Sequence, residues 1–200
     1  MPVKLYVVRH GETEWSLSGQ HTGSTDIPLT VHGEEEAKRL APRLSGIHFS
    51  SVLCSPRQRA RRTSELAGLG SLARIDPDLA EWDYGDYEGL RTPDIVKDRP
   101  GWNIFADGCP DGELPDQVSD RADRLIGRLE AFDGNVALFS HGHFSRVLAA
   151  RWIGLAARGG QRLMLDTGSL SILQDDPRHP ENRVISLWNA VPGTRGGLSN

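Results

Sequence analysis

Two cysteines, Cys54 and Cys109, are too few to staple a chain of 200 residues. A disulfide framework is therefore excluded, and a reducing compartment is implied. Long hydrophobic runs are missing as well. The apolar stretch from Val3 to Val8 stops at Arg9-His10, too soon for a signal peptide or a membrane span. There is no excess of positive charge: the net charge is −4, which argues against nucleic acid or an anionic membrane as the main partner. Any anionic substrate must then be held by a local cluster of cations. Internal repeats are absent too. With 38% hydrophobic and 25% charged residues, the chain has the make-up of one globular domain with a full core. A cytoplasmic enzyme is the expectation these exclusions leave.

The elements that are present alternate. Lys4 to Val8 reads as a buried strand that ends abruptly at Arg9-His10-Gly11. Thr30 can cap a helix from about Gly33 to Leu44, with Ala37, Leu40, Ala41 and Leu44 on its apolar face. Pro42 is expected to bend or shorten its last turn. Ser50 to Cys54 is a second strand, followed by a helix from about Arg57 to Ala67. Helical spacing returns between about Asp116 and Phe132, where Val118, Ala122, Leu125, Ile126 and Leu129 share a face. Asn135 to Ser140 is a third strand, a helix follows from about Phe144 to Ile153, and Ser169–Leu173 and Val184–Trp188 read as closing strands.

This alternation predicts an α/β fold, a three-layer α/β/α sandwich around a mostly parallel sheet. Residues 1–192 form the single expected domain, with a loose tail over 193–200. The Gly-, Pro- and Asp-rich stretch from about Arg91 to Pro115 is expected to make a lid-like excursion over the sheet edge. Sites in such sheets lie at the carboxyl ends of the strands. Three strand ends carry polar clusters here: Arg9-His10-Gly11, Ser55-Pro56 running to Arg59, and His141-Gly142-His143.

Those clusters suit attack on a phosphate monoester, which needs a nucleophile, cations on the equatorial oxygens and an acid for the leaving oxygen. A neutral His10 can attack phosphorus if its other nitrogen is held as a donor, usually by a backbone carbonyl. Arg9 and Arg59 can offer planar forks that match phosphate oxygens. His141 would add a donor, and Glu81, its pKa raised by burial against Trp82, would be the acid. Read singly, these residues are unremarkable. His10 after a strand is more often structural, Glu81 sits among Asp83, Asp86 and Glu88, and Arg57, Arg61 and Arg62 are expected to form a solvated helix face. The conjunction at strand ends and loops carries the functional reading.

The residues also resemble a known family. Arg9-His10-Gly11-Glu12-Thr13 is similar to the Arg-His-Gly signature of the histidine phosphatase, or phosphoglycerate mutase-like, superfamily. Cys54-Ser55-Pro56-Arg57-Gln58-Arg59 resembles its second motif, Glu81 stands at its acid, and Ser140-His141-Gly142-His143 resembles its second-histidine motif. The resemblance implies that His10 is phosphorylated, that Arg9, Arg59 and His141 bind the phosphoryl group, and that neither metal nor cofactor takes part. Ser16, where many members carry Asn, and the pair Thr22-Gly23 are implied beside the substrate, with Tyr84 and His143 also expected to bind it. Trp82 stands where phosphoglycerate mutases place Arg, and their long basic insertion is missing, so hydrolysis is favoured over the alternative of a cofactor-dependent mutase. The stretches Glu81–Gly89 and Trp102–Cys109 resemble a subgroup that contains sedoheptulose-1,7-bisphosphatase and related bacterial acid phosphatases, for which sugar phosphates are the expected substrates.

Two readings from other classes compete. A scaffold protein that had lost catalysis would be expected to lack His10, an Arg or His141, and none is lacking. A metalloenzyme could use His141-x-His143, but alternate residues on a strand face opposite ways and no closed ligand set accompanies them. The expected partner is a small-molecule phosphate monoester, with no nucleic acid and no membrane. An edge strand or the lid is where a homodimer would pair.

Overall fold

The computed structural model describes residues 2–191, so the tail expected after residue 192 lies outside the described residues. In chain order the elements are β1 (Lys4–Arg9), α1 (Glu14–Ser18), α2 (Val31–Leu44), β2 (Phe49–Cys54) and α3 (Gln58–Leu66). Next come β3 (Ala73–Ile75), α4 (Thr92–Asp98), α5 (Ile104–Asp107), α6 (Pro115–Leu129) and β4 (Asn135–Ser140). The chain closes with α7 (Gly142–Trp152), β5 (Leu170–Asp175) and β6 (Arg183–Ala190).

The six strands form one sheet in the order β3-β2-β4-β1-β5-β6. β1, β4, β2 and β3 run parallel, and β5 and β6 add an antiparallel edge. Leu5, Tyr6, Val7 and Val8 are all buried, because β1 is covered on both faces and needs an unbroken apolar run. Alternation sends Leu5 and Val7 to one face, where they pack with α6 (Val118, Leu125, Leu129) and α7 (Phe144, Leu148, Trp152). Tyr6 and Val8 face the other way, toward Leu40 and Leu44 of α2 and Ala60 of α3. The chain thus has the expected α/β/α layering.

One local expectation changes. α2 runs through Pro42 to Leu44 with no shortening. Pro42 and Lys38, whose carbonyl the missing N–H would serve, are both exposed, so water can satisfy that carbonyl. The short β3 and α1 carry too few residues to show a period, and neither was legible. In the 91–115 stretch, expected as a lid-like excursion, Ile95, Trp102, Ile104, Phe105 and Cys109 are buried in the larger core, and the Trp102 indole N–H donates to the Gly108 carbonyl at 2.8 Å. No described helix is long and apolar enough to cross a membrane.

Candidate active site

Parallel pairing brings the three polar strand ends together. Arg9 lies opposite Ser140 in the β1–β4 register, and Cys54 lies opposite Phe139 in β2–β4. The chain then continues into His10, Ser55 and His141 at the same sheet edge. The His10 N–H donates to the Ser140 carbonyl at 3.0 Å, and the Gly168 N–H to the His10 carbonyl at 3.0 Å. Glycine is required at the next step. A Cβ on Gly11 would stand 2.2 Å from the Gly33 carbonyl oxygen, because α2 docks backbone-to-backbone behind the nucleophile loop.

The His10 ring is buried, with Nδ1 2.7 Å from the Gly11 carbonyl oxygen. A carbonyl can only accept, so Nδ1 carries the proton and Nε2 keeps its lone pair. Burial, then the charges of Arg59 and Arg9, hold the His10 pKa well below its ordinary value, against the smaller opposing pull of the Gly11 bond. His10 is therefore neutral near neutral pH. Arg9 donates through Nη1 to the Leu165 carbonyl, while its buried Nε has no partner among the described residues.

Arg59 is fully buried and is not a solvated helix residue. Its Nε donates to His141 Nδ1 at 3.2 Å, Nη1 to the Thr25 carbonyl at 2.9 Å, and Nη2 to the carbonyls of Thr22 and Gly23 at 2.9 and 3.1 Å. Because His141 Nδ1 accepts, Nε2 carries the ring proton and shares it with Ser55 Oγ at 2.6 Å. The His141 ring meets His10 edge-on at 5.1 Å. Burial first, and Arg59 next, hold its pKa well below normal. His141 is thus tied to Arg59 and Ser55 more than it is aimed at the cavity. Of the three arginines expected on a solvated face, Arg61 and Arg62 are exposed, whereas Arg57 is half-buried and its enclosed Nε has no partner among the described residues.

Glu81 is buried at the N-terminus of α7. Its Oε1 accepts from the N–H groups of Trp82 and Phe144 at 2.9 and 2.8 Å, and Oε2 from the His143 N–H at 3.0 Å. Oε2, with a single donor, is the oxygen with room for a proton. Helix α7 thus presents its positive end to the carboxylate.

Arg9, His10 and Glu81 line one cavity of about 260 Å³ together with Ser16, Thr22, Tyr84, His143 and Arg146. Among the substrate-side residues expected from the sequence, Ser16 donates its hydroxyl hydrogen to the Thr13 carbonyl at 2.9 Å, within the cap of α1. Thr22 lines the cavity and gives its carbonyl to Arg59. Gly23 is packed behind it: its N–H goes to Glu88, and a Cβ there would lie 2.5 Å from the Trp82 carbonyl oxygen. The Tyr84 hydroxyl and His143 Nδ1 share a 2.6 Å hydrogen bond. Burial holds the Tyr84 pKa well above and the His143 pKa well below their ordinary values, so both stay neutral.

His143 belongs to the first turn of α7 and not to a strand. Strand alternation therefore says nothing about its direction. Among the described residues no group of three or more His, Cys, Asp or Glu side chains is placed to hold a metal.

Four contributors escaped the sequence reading. Glu88, grouped there with surface charge, accepts from the Gly23 and Thr25 N–H groups and so braces the loop that receives Arg59. His21 stacks on Tyr84 at 4.7 Å, and burial lowers its pKa to about 4. Arg146 lies over the Phe105 ring at 4.5 Å and donates to the carbonyls of Gly160 and Gln161. No carboxylate is recorded in ion-pair contact with it among the described residues. Arg121 had a signal, since it falls on the apolar face of its helix between Val118 and Leu125.

The chain from residue 5 to 190 matches the family profile described as Histidine phosphatase superfamily (branch 1). It is 43% identical over 173 residues to an acid phosphatase of Mycobacterium tuberculosis, covering 84% of this chain and 85% of that one. It is 39% identical over 188 residues to the sedoheptulose 1,7-bisphosphatase of Saccharomyces cerevisiae, covering 78% and 69%. The solved structure of an open-reading-frame product of M. tuberculosis superposes with a TM-score of 0.89 at 39% identity, over 94% of this chain and 98% of that one.

Proposed function

This chain belongs to the histidine phosphatase superfamily, branch 1, and we propose that it hydrolyses small phosphate monoesters, sugar phosphates foremost, without a metal and through a phosphohistidine at His10. The observation that carries the proposal is the Nδ1–Gly11 hydrogen bond. It leaves the Nε2 lone pair of a neutral ring in a cavity shared with Arg9 and Glu81.

In the first step Nε2 attacks phosphorus and the bond from phosphorus to the ester oxygen breaks. The departing oxygen keeps the electron pair and takes a proton from Glu81 Oε2. In the second step a water oxygen attacks phosphorus and the P–Nε2 bond breaks, returning its pair to His10. The Glu81 carboxylate receives the water proton, and inorganic phosphate leaves. Arg9 and Arg59 offset the charge on the phosphoryl oxygens. His141 holds Arg59 and reaches the phosphoryl group by releasing Ser55.

The relatives named acid phosphatase and sedoheptulose 1,7-bisphosphatase support hydrolysis of this bond class. Arg146, a cation on the same cavity wall, favours sugar phosphates that carry a second anionic group. The test is a panel of sugar monophosphates, bisphosphates and phosphoglycerates, run with and without millimolar chelator. Phosphate release that survives the chelator is expected. Activity lost to chelator and restored by a divalent ion would overturn the metal-free mechanism, and phosphoglycerate isomerisation in place of release would make the chain a mutase.

A further inference from the structure

We infer that Arg121 and Glu113 form a clamp that positions Glu81, making Arg121 a positioning residue for protonation of the leaving group. The inference rests on the reading of Glu81 as that acid. Neither residue lines the cavity, and no sequence motif marks them.

Arg121 comes from α6 and is buried to 9% exposure. Each of its five N–H groups has its own acceptor. Nε and one Nη2 hydrogen reach Glu113 Oε1 and Oε2 at 2.9 and 2.8 Å. The two Nη1 hydrogens reach the carbonyls of Asp78 and Ala80 at 2.9 and 2.7 Å, and the other Nη2 hydrogen that of Glu81 at 3.3 Å. Lys, with three donors on one point, cannot reproduce this fork.

Glu113 extends the grip past Glu81. Its Oε2 accepts from the Asp83 N–H at 2.9 Å, its carbonyl from the Trp82 indole at 2.8 Å, and its own N–H donates to the Asp83 carbonyl at 2.9 Å. Ser140 Oγ takes the one carbonyl left between, that of Leu79, at 2.8 Å. The segment from Asp78 to Asp83 is thus pinned on both sides of Glu81. The Arg121 guanidinium also lies 4.3 Å from the centre of the Phe144 ring, and Phe144 supplies one of the N–H donors that hold Glu81 Oε1. One side chain therefore touches both the backbone that bears the acid and the residue that aims it. Neither Arg121 nor Glu113 itself touches His10 or Arg9, so the clamp acts on proton transfer at Glu81 and not on the attack by His10. Misplacing a catalytic group by about 1 Å costs about 10²-fold in rate.

The test compares wild type, Arg121→Lys, Glu113→Gln, Glu81→Gln and the Arg121→Lys/Glu81→Gln double variant on a sugar phosphate and on p-nitrophenyl phosphate. The aryl ester leaves without help from an acid. Arg121→Lys is expected to lose about 10²-fold in kcat/KM on the sugar phosphate and less than tenfold on the aryl ester, because kcat/KM reports transfer to His10 and not the dephosphorylation that both esters share. Glu113→Gln should show the same split at about tenfold, and it carries the comparison if Arg121→Lys does not fold. On the sugar phosphate the double variant should be no slower than Glu81→Gln alone, because a group that acts through Glu81 has nothing left to position. Equal losses on both substrates, or losses that add in the double variant, would reduce the clamp to a structural ion pair. If Glu81→Gln itself shows no split between substrates, the acid assignment fails, and the clamp fails with it.

Discussion

On the floor of the site, Arg9 and His10 line the cavity and Arg59 and His141 lie behind them, all four fixed by backbone carbonyls or by one another. On the rim, His21, Tyr84, His143 and Arg146 are fixed largely by rings: His21 on Tyr84, Tyr84 bonded to His143, and Arg146 over Phe105. The floor inherits its geometry from the sheet, whose register leaves little freedom in where each strand stops. The rim gathers a loop, a helical turn and the packed 91–115 stretch, so its shape depends on how side chains fill the space between them. Chemistry that every substrate shares belongs on the first. Selection among substrates belongs on the second.

The largest effect that can break this division lies on the floor. His10→Ala should lower turnover by about 10⁴-fold or more while the fold persists. Acid-sensitive, base-stable phosphate should appear on the wild-type protein only. Normal turnover by the variant would mean that the floor does not hold the nucleophile.

Arg9→Ala or Arg59→Ala should each cost about 3 kcal/mol or more of transition-state stabilisation. Both cations also depress the His10 pKa. Removing either should raise it and move the acid limb of the pH–rate profile to higher pH. A limb that stays in place would separate their binding role from their electrostatic one.

The rim should show itself in stability before rate. His21 is held at about 4 in the fold, against 6.5 for an ordinary imidazole. Below pH 6.5 the unfolded chain takes up a proton that the fold refuses, so stability is complete above that pH and falls as pH drops toward 4. At pH 5 the loss due to His21 is about 2 kcal/mol. His21→Phe keeps the stack on Tyr84 and should recover much of it, as measured by denaturant unfolding at pH 7 and pH 5. An unchanged pH dependence would mean that water reaches the ring.

The smallest effect serves as the control. Arg62 lies one helical turn from Arg59 but is exposed and paired with Glu34 and Glu65. Arg62→Ala should leave kcat and KM within about twofold. A loss resembling that of Arg59 would show that charge along α3 matters as a whole.

The strands that build the floor were legible because their signal is local. An unbroken apolar run followed by Arg9-His10-Gly11, or by His141-Gly142-His143, shows both the strand and where it ends. On the rim, Tyr84 and His143 were legible through the resemblance, whereas His21, Arg146 and the braces were not. Trp102 and Phe105 sit in a Gly-, Pro- and Asp-rich stretch that reads as a lid-like excursion, and only the folded chain shows both buried in the larger core. Glu88 reads as one charge among several, and only the folded chain sets it against the Gly23 and Thr25 N–H groups. Pro42 reads as a residue that bends or shortens the last turn, but its exposure let the helix run on to Leu44.

By itself, the sequence determined the alternation of strands and helices, the layered fold, and the identity of the residues that meet at the sheet edge, because apolar period and strand termination are written in neighbouring positions. Only the tertiary structure decided which nitrogen of His10 is free, that His141 answers to Arg59 and Ser55, and that Arg121 and Glu113 close around Glu81. The first rests on how the fold turns the His10 ring onto the neighbouring Gly11 carbonyl, the others on hydrogen bonds between residues 8 to 86 positions apart in the chain, and the protonation states on burial. No local pattern encodes either.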